Sequence, residues 1–244
     1  MKNLHKKQFR LSRRGFWLAC ALLVCLRLAL TSFQQAYTWV GGAPLDDELM
    51  FRAAQNITAG EWLGVYDYLT LSKAMFFPVW LALLHALHLP YLVAGAALWC
   101  GAALLAAFAF SPLWRKKQPE QGRALTMVLF AALAFLPSSW AAYTLRVYRD
   151  NIFPALCLYF FAGMAGMALR AVFEKDKPLW PWLAAAGAGL ACGYLDREDA
   201  GLFLLPFAAA ATVIVAVVLV GKRRWKAFAA QVIPYAMLGV GVLT

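Results

Sequence analysis

Charge is what this chain has least of. Of its 244 residues only 12 are acidic and 23 are Lys or Arg, 14% in all, while 63% are hydrophobic. Soluble domains carry about 25% charged and about 45–50% apolar residues. The deficit excludes an ordinary water-soluble domain and, with a mean hydropathy of +0.64, implies a polytopic membrane protein. Histidine is nearly absent, with three in the chain. His85 and His88 stand at i,i+3 spacing without a third metal ligand nearby. The five cysteines (Cys20, Cys25, Cys100, Cys157, Cys192) show no CxxC or other metal-type spacing. All lie in apolar runs and read as small buried residues. Internal repeats, low-complexity tracts and any soluble domain are missing as well.

What is present is a net charge of +11. Such an excess can signal nucleic acid, but the cations fall in short clusters between apolar runs, the pattern of cytoplasmic membrane loops, so no nucleic-acid partner is expected. A spanning helix needs about 20 apolar residues. Runs of that kind lie at 15–36, 91–113, 124–141, 152–172, 179–195, 201–221 and 227–244. The first follows a basic N-terminus, lacks a small-residue cleavage site and contains Arg27, and reads as a retained signal anchor. The run from Phe76 to Leu89 is too short to cross and is expected to lie along the surface.

Charge then fixes orientation. With the short run left on one side, 17 of the 23 cations fall on the cytoplasmic face and nine of the 12 acids on the other. If the short run crossed, every later basic cluster would move outside, against the positive-inside bias. The acids gather on three outer loops: a large one at 37–90, a tight one at 143–151 and a third at 196–200. Expected is an all-α polytopic membrane protein of about seven transmembrane helices, N-terminus cytoplasmic, with surface helices in its first outer loop. The final run ends without a polar tail. Residues 1–244 thus read as a single transmembrane domain, the N-terminal portion of a longer chain.

The most informative residues are Asp46-Asp47-Glu48, just beyond the first span. They open a helix-like stretch, Leu49 to Ala59, in which Met50, Ala54 and Ile57 share a face, with Gly60 as its stop. Trp62 and Tyr66 suit a membrane-interface belt. Two readings are open for the triplet: an acidic helix cap, or carboxylates serving as a base or metal ligand where a lipid head group meets a water-soluble acceptor. Lys73 precedes the aromatic-Pro stretch Phe77-Pro78. It can counter a phosphate or simply snorkel. The second loop holds Arg146, Tyr148, Arg149 and Asp150, in which Asp150 either pairs with Arg149 or Arg146 or lines a site. The third, Asp196-Arg197-Glu198-Asp199, lies so close to a span that its charges must be paired or face a cavity.

The acid pair after the first span, the Ala eight residues on, the Gly and Trp, and the Lys before an aromatic-Pro helix together resemble the GT-C glycosyltransferases of family 39. That family includes protein O-mannosyltransferases and lipid A aminoarabinose transferases. The resemblance implies a seven-helix core, a polyprenyl-phosphate sugar donor, and inversion at the anomeric carbon. It matches Asp46 to the catalytic acid and Asp47 to its neighbour, which is Glu in the family, and Asp150 to a second functional acid. Arg197-Glu198 is similar to an Arg-Glu motif before the sixth helix of bacterial members. On this reading Lys73, Arg146, Arg149, Asp150, Arg197 and Glu198 bind substrate. A divalent metal ion would use Asp47 or Asp150, and the acceptor is a lipid, glycan or protein at a bacterial inner membrane. The alternatives are a transporter or flippase-like carrier, which would favour repeated halves and midplane charges, and a non-catalytic assembly subunit.

Overall fold

In the computed structural model the described residues are 10–39, 44–62, 64–70, 72–114, 117–174 and 177–220. Their regular structure is helical: α1 (Arg13–Ser32), α2 (Pro44–Ala59), α3 (Phe76–Ala86), α4 (Tyr91–Ala109), α5 (Pro119–Ala134), α6 (Phe153–Phe173), α7 (Trp180–Asp196) and α8 (Ala200–Val220). Short 3₁₀ turns join several of them, and one isolated bridge pairs Tyr37 with Arg146. The run expected at 227–244 lies outside the described residues.

Among the described residues, three helical stretches are long and apolar enough to cross a membrane: Arg13–Ser32, Tyr91–Trp114 and Arg149–Phe173. The surface of α1 shows why water is the wrong solvent for it. Leu18, Leu22, Leu26 and Leu30 repeat every four residues and are all exposed, a stripe stable only against lipid or another apolar surface. Helix α3 has 11 residues, which at about 1.5 Å each reach about 16 Å, half of a hydrocarbon core of about 30 Å. It cannot cross alone, as its length in sequence foretold.

Close packing joins α6 to α7 through glycine. A methyl group on Gly163 would fall 2.5 Å from the Ala186 backbone nitrogen, and one on Gly189 would fall 2.5 Å from that of Phe160. Only glycine permits backbones this near, the device membrane helices use in place of a hydrophobic drive. Around it, Phe160, Met164, Met167, Trp182, Ala186 and Leu204 form a core. A second core, of Phe16, Cys20, Cys100, Ala103 and Phe130, joins α1, α4 and α5.

Two helix boundaries differ from expectation for identifiable reasons. The 124–141 run is not one helix: α5 ends at Ala134, and Pro137, which has no N–H to donate, begins a 3₁₀ turn, Pro137–Trp140. That break frees the Ser139 carbonyl, which accepts from the buried Arg27 at 2.8 Å, while Trp140 lies 3.4 Å beneath the same guanidinium. Arg27 therefore faces the bundle. The other difference is α2, which starts at Pro44 rather than Leu49, so the acid triplet lies inside its first turns instead of preceding it. Proline suits a helix start because its missing N–H would be unpaired there anyway.

Candidate functional site

All three acidic loops meet at one end of the bundle. Helix α2 packs its buried Met50 against Phe77 of α3 and against Tyr148 and Ile152. Its apolar face therefore looks into the protein rather than onto lipid, and its first turn is pressed against the 146–151 loop. Gly60 ends the helix at φ +82°, a conformation that glycine adopts without strain.

Asp46 and Asp47 point to different partners. Asp47 is buried and ion-paired with Arg146, whose Nε also donates to Oδ2 at 3.3 Å, and it accepts the Trp39 N–H at 3.0 Å. The hydrogen bond to this carboxylate raises the Arg146 pKa, which locks the charge on. A bidentate Arg–carboxylate pair is among the stronger side-chain interactions. Asp46 is more open, with a third of its side chain exposed. Its Oδ2 takes Lys73 Nζ at 3.1 Å and the Tyr148 hydroxyl at 3.2 Å. Glu48 turns away to an exposed pair with Arg52.

Lys73 also lines a cavity of about 310 Å³ between α2, α3 and the intervening loop, with Arg52, Glu61 and Asp67 on its other walls. The residue after it, Ala74, donates its N–H to Glu198 at 2.6 Å, and Glu198 accepts from Arg149 at 3.0 Å. Burial would raise the Glu198 carboxyl. Hydrogen bonds from backbone N–H groups and from Arg149 outweigh it and hold the pKa below the usual carboxylate value. Arg197 bridges Asp150 at 3.0 Å and Asp199 at 3.0 Å. Asp150 is thus paired neither with Arg149 nor with Arg146, as its neighbours in sequence suggested, but with the third loop. Its partner lies across the bundle end because the 3₁₀ turn Arg149–Asn151 directs Arg149 to Glu198 instead.

Two residues gained importance only in three dimensions. Tyr148 sits between the cations of Arg146 and Arg149, 4.4 and 5.4 Å over its ring, and its hydroxyl reaches Asp46. The alternation of Arg, Tyr and Arg was a visible signal for it. Asp196, the residue after the apolar run 179–195, has no exposed surface, and neither carboxylate oxygen has a hydrogen-bond partner among the described residues. Burial pushes its pKa up to about 8 against the pull of Arg149 and Arg197. No spacing rule marked it apart from its acidic neighbours.

Neither Asp47 nor Asp150 is free for a divalent cation as they are paired here. Asp47 faces Arg146 and Asp150 faces Arg197, so an ion at either would have to displace a guanidinium. No trio of His, Cys, Asp or Glu gathers among the described residues. Chemically, the arrangement offers a partly exposed carboxylate, Asp46, beside a lysine that opens on a cavity, supported by a frame of paired charges. The chain matches no protein-family model, no curated protein and no solved structure.

Proposed function

We propose that this chain is a membrane glycosyltransferase that moves a sugar from a polyprenyl-phosphate donor to a lipid, glycan or protein acceptor. In this reading about seven spans, three of them the long apolar helices described above, cross a bacterial inner membrane with the N-terminus cytoplasmic and the acidic end outside. The observation that carries it is the contrast between the two neighbouring acids. Asp47 is spent on Arg146, whereas Asp46 is partly open and adjoins Lys73, which lines the cavity.

The chemistry follows from those positions. A sugar phosphate already has a stable leaving group, so the demand falls on the acceptor. Asp46 takes the proton of the acceptor hydroxyl or amine, and that atom attacks the anomeric carbon from the face opposite the phosphate. The carbon–oxygen bond to phosphate breaks, and the phosphate leaves with the electron pair and an inverted sugar behind it. Lys73 counters the leaving charge, and Arg149 adds to the positive field behind it. Asp47, Arg146 and Tyr148 hold Asp46 in place, and Arg197, Asp150 and Glu198 fix the floor on which the 72–74 segment rests. No metal enters this scheme.

One observation favours a non-catalytic assembly subunit instead: Asp47, Asp150 and Glu198 are all neutralised by arginine, as in a clamp. Donor binding separates the two. Polyprenyl phosphate titrated into the purified protein should bind wild type about tenfold more tightly than Lys73→Met, the loss of one charge-assisted contact to phosphate. Equal binding by both, or none by either, would remove the donor from the account and leave the clamp.

A further inference from the structure

The opposite end of the bundle holds a second cavity, of about 440 Å³, between the start of α1, the end of α4 and the start of α5. Its polar wall carries Arg13, Lys117 and Arg123, and its apolar wall carries Trp17, Phe108 and Trp114. None of the three cations is ion-paired with an acid among the described residues, in contrast to the arginines of the acidic end. The walls are built rather than incidental. Arg123 is anchored by its Nε donating to the Leu11 carbonyl at 2.8 Å, Trp114 Nε1 donates to the buried Thr126 hydroxyl at 3.0 Å, and Trp17 and Phe108 lie ring to ring at 5.7 Å.

We infer that this cavity is a binding site for an acidic phospholipid, with the phosphate among Arg13, Lys117 and Arg123 and an acyl chain running along α1. Charge complementarity selects an anion. What selects a lipid over a free phosphate is the surface that continues from the cavity. Trp17 and Leu18 begin the exposed face of α1, and Leu22, Leu26 and Leu30 extend it along the helix. An aromatic residue at the junction of polar and apolar zones is the usual marker of head-group depth, and basic pockets between helices hold acidic head groups in this way. The site is independent of the glycosyl-transfer reading, because it shares no residue with the acidic end.

The experiment is native mass spectrometry of the whole purified chain in mild detergent, titrated with phosphatidylglycerol or phosphatidylcholine. Wild type should retain phosphatidylglycerol preferentially. Arg13→Gln and Lys117→Gln should each weaken that retention about fivefold and leave phosphatidylcholine unchanged. Both side chains are exposed, so these variants keep the fold. Arg123→Gln should do at least as much, since it also frees Leu11. Lys177→Gln, a basic residue outside the cavity, should have no effect. Equal retention of the two lipids by wild type would overturn the assignment. So would a comparable loss in Lys177→Gln, or displacement of the lipid by millimolar inorganic phosphate, which would make the cavity a soluble-anion site.

Discussion

The Asp47–Arg146 pair is the joint that holds α2 to the second acidic loop, and its removal should be costly in a specific way. Asp47 is 5% exposed and receives both Arg146 contacts plus the Trp39 N–H. Arg146→Met would leave a buried carboxylate with a single backbone donor. Breaking a buried pair from one side costs about 3–5 kcal/mol. Because this one sits at the end of the bundle, where water can follow, the lower part of that range is expected. Asp47→Ala leaves Arg146 more tolerable, since its guanidinium still lies 4.4 Å over the Tyr148 ring; about 1.5–3 kcal/mol is expected there. Removing both partners leaves no orphaned charge, so the double variant should fall short of the sum by about 2 kcal/mol. Reversible unfolding in mixed micelles, titrated with SDS, measures all three. Losses that add to within about 0.5 kcal/mol would refute the coupling and with it the idea that this pair positions Asp46.

Two further outcomes follow from buried features. Gly189→Ala should destabilise by about 1–3 kcal/mol, because its methyl meets Phe160 backbone rather than a side chain that can move, whereas Gly187→Ala, with nothing within 4 Å, should not. Asp196 should make the protein less stable as pH rises. Its folded pKa of about 8 lies above the unfolded value of 3.8, so the folded state binds the extra proton between them, and its contribution, full below the lower value, is lost as pH climbs through the higher. Thermal unfolding at a series of pH values should show wild type weakening from pH 5 to pH 9, on the order of a few kcal/mol, and Asp196→Asn staying flat. A wild-type curve as flat as the variant's would mean that Asp196 is solvated.

Helix positions were largely legible because each apolar run carries its own length signal: α6 was expected at 152–172 and found at Phe153–Phe173, α7 at 179–195 and found at Trp180–Asp196. The break after Ala134 was missed because a run of apolar residues says nothing about a proline near its end until the buried Arg27 is seen to need the carbonyl that the turn releases. The gathering of three acidic loops was foreseen from charge alone, since topology puts them on one side. Pairing was not. Sequence proximity favoured Asp150 with Arg149 or Arg146, but ion pairs here are set by which way a 3₁₀ turn aims each side chain. The burial of Asp196 could not be told from that of its acidic neighbours, because closeness to a span marks the whole 196–199 cluster alike and only the elements packed around it single out Asp196.

Whether Asp46 is the base is decided by sugar transfer in the Asp46→Asn variant. The change removes the proton acceptor while keeping the size of the side chain and an oxygen that can still accept from Lys73 and Tyr148, so the fold should survive. The protein would be compared with wild type at equal folded level, in its own membrane, following transfer from a pool of labelled polyprenyl-phosphate sugar to surface glycan, lipid or protein. A positioned general base contributes about 10²–10⁴-fold. A loss in that range is expected for Asp46→Asn together with unchanged donor binding, while near-normal transfer by the variant would rule Asp46 out as the base and return the acid triplet to the role of a helix start.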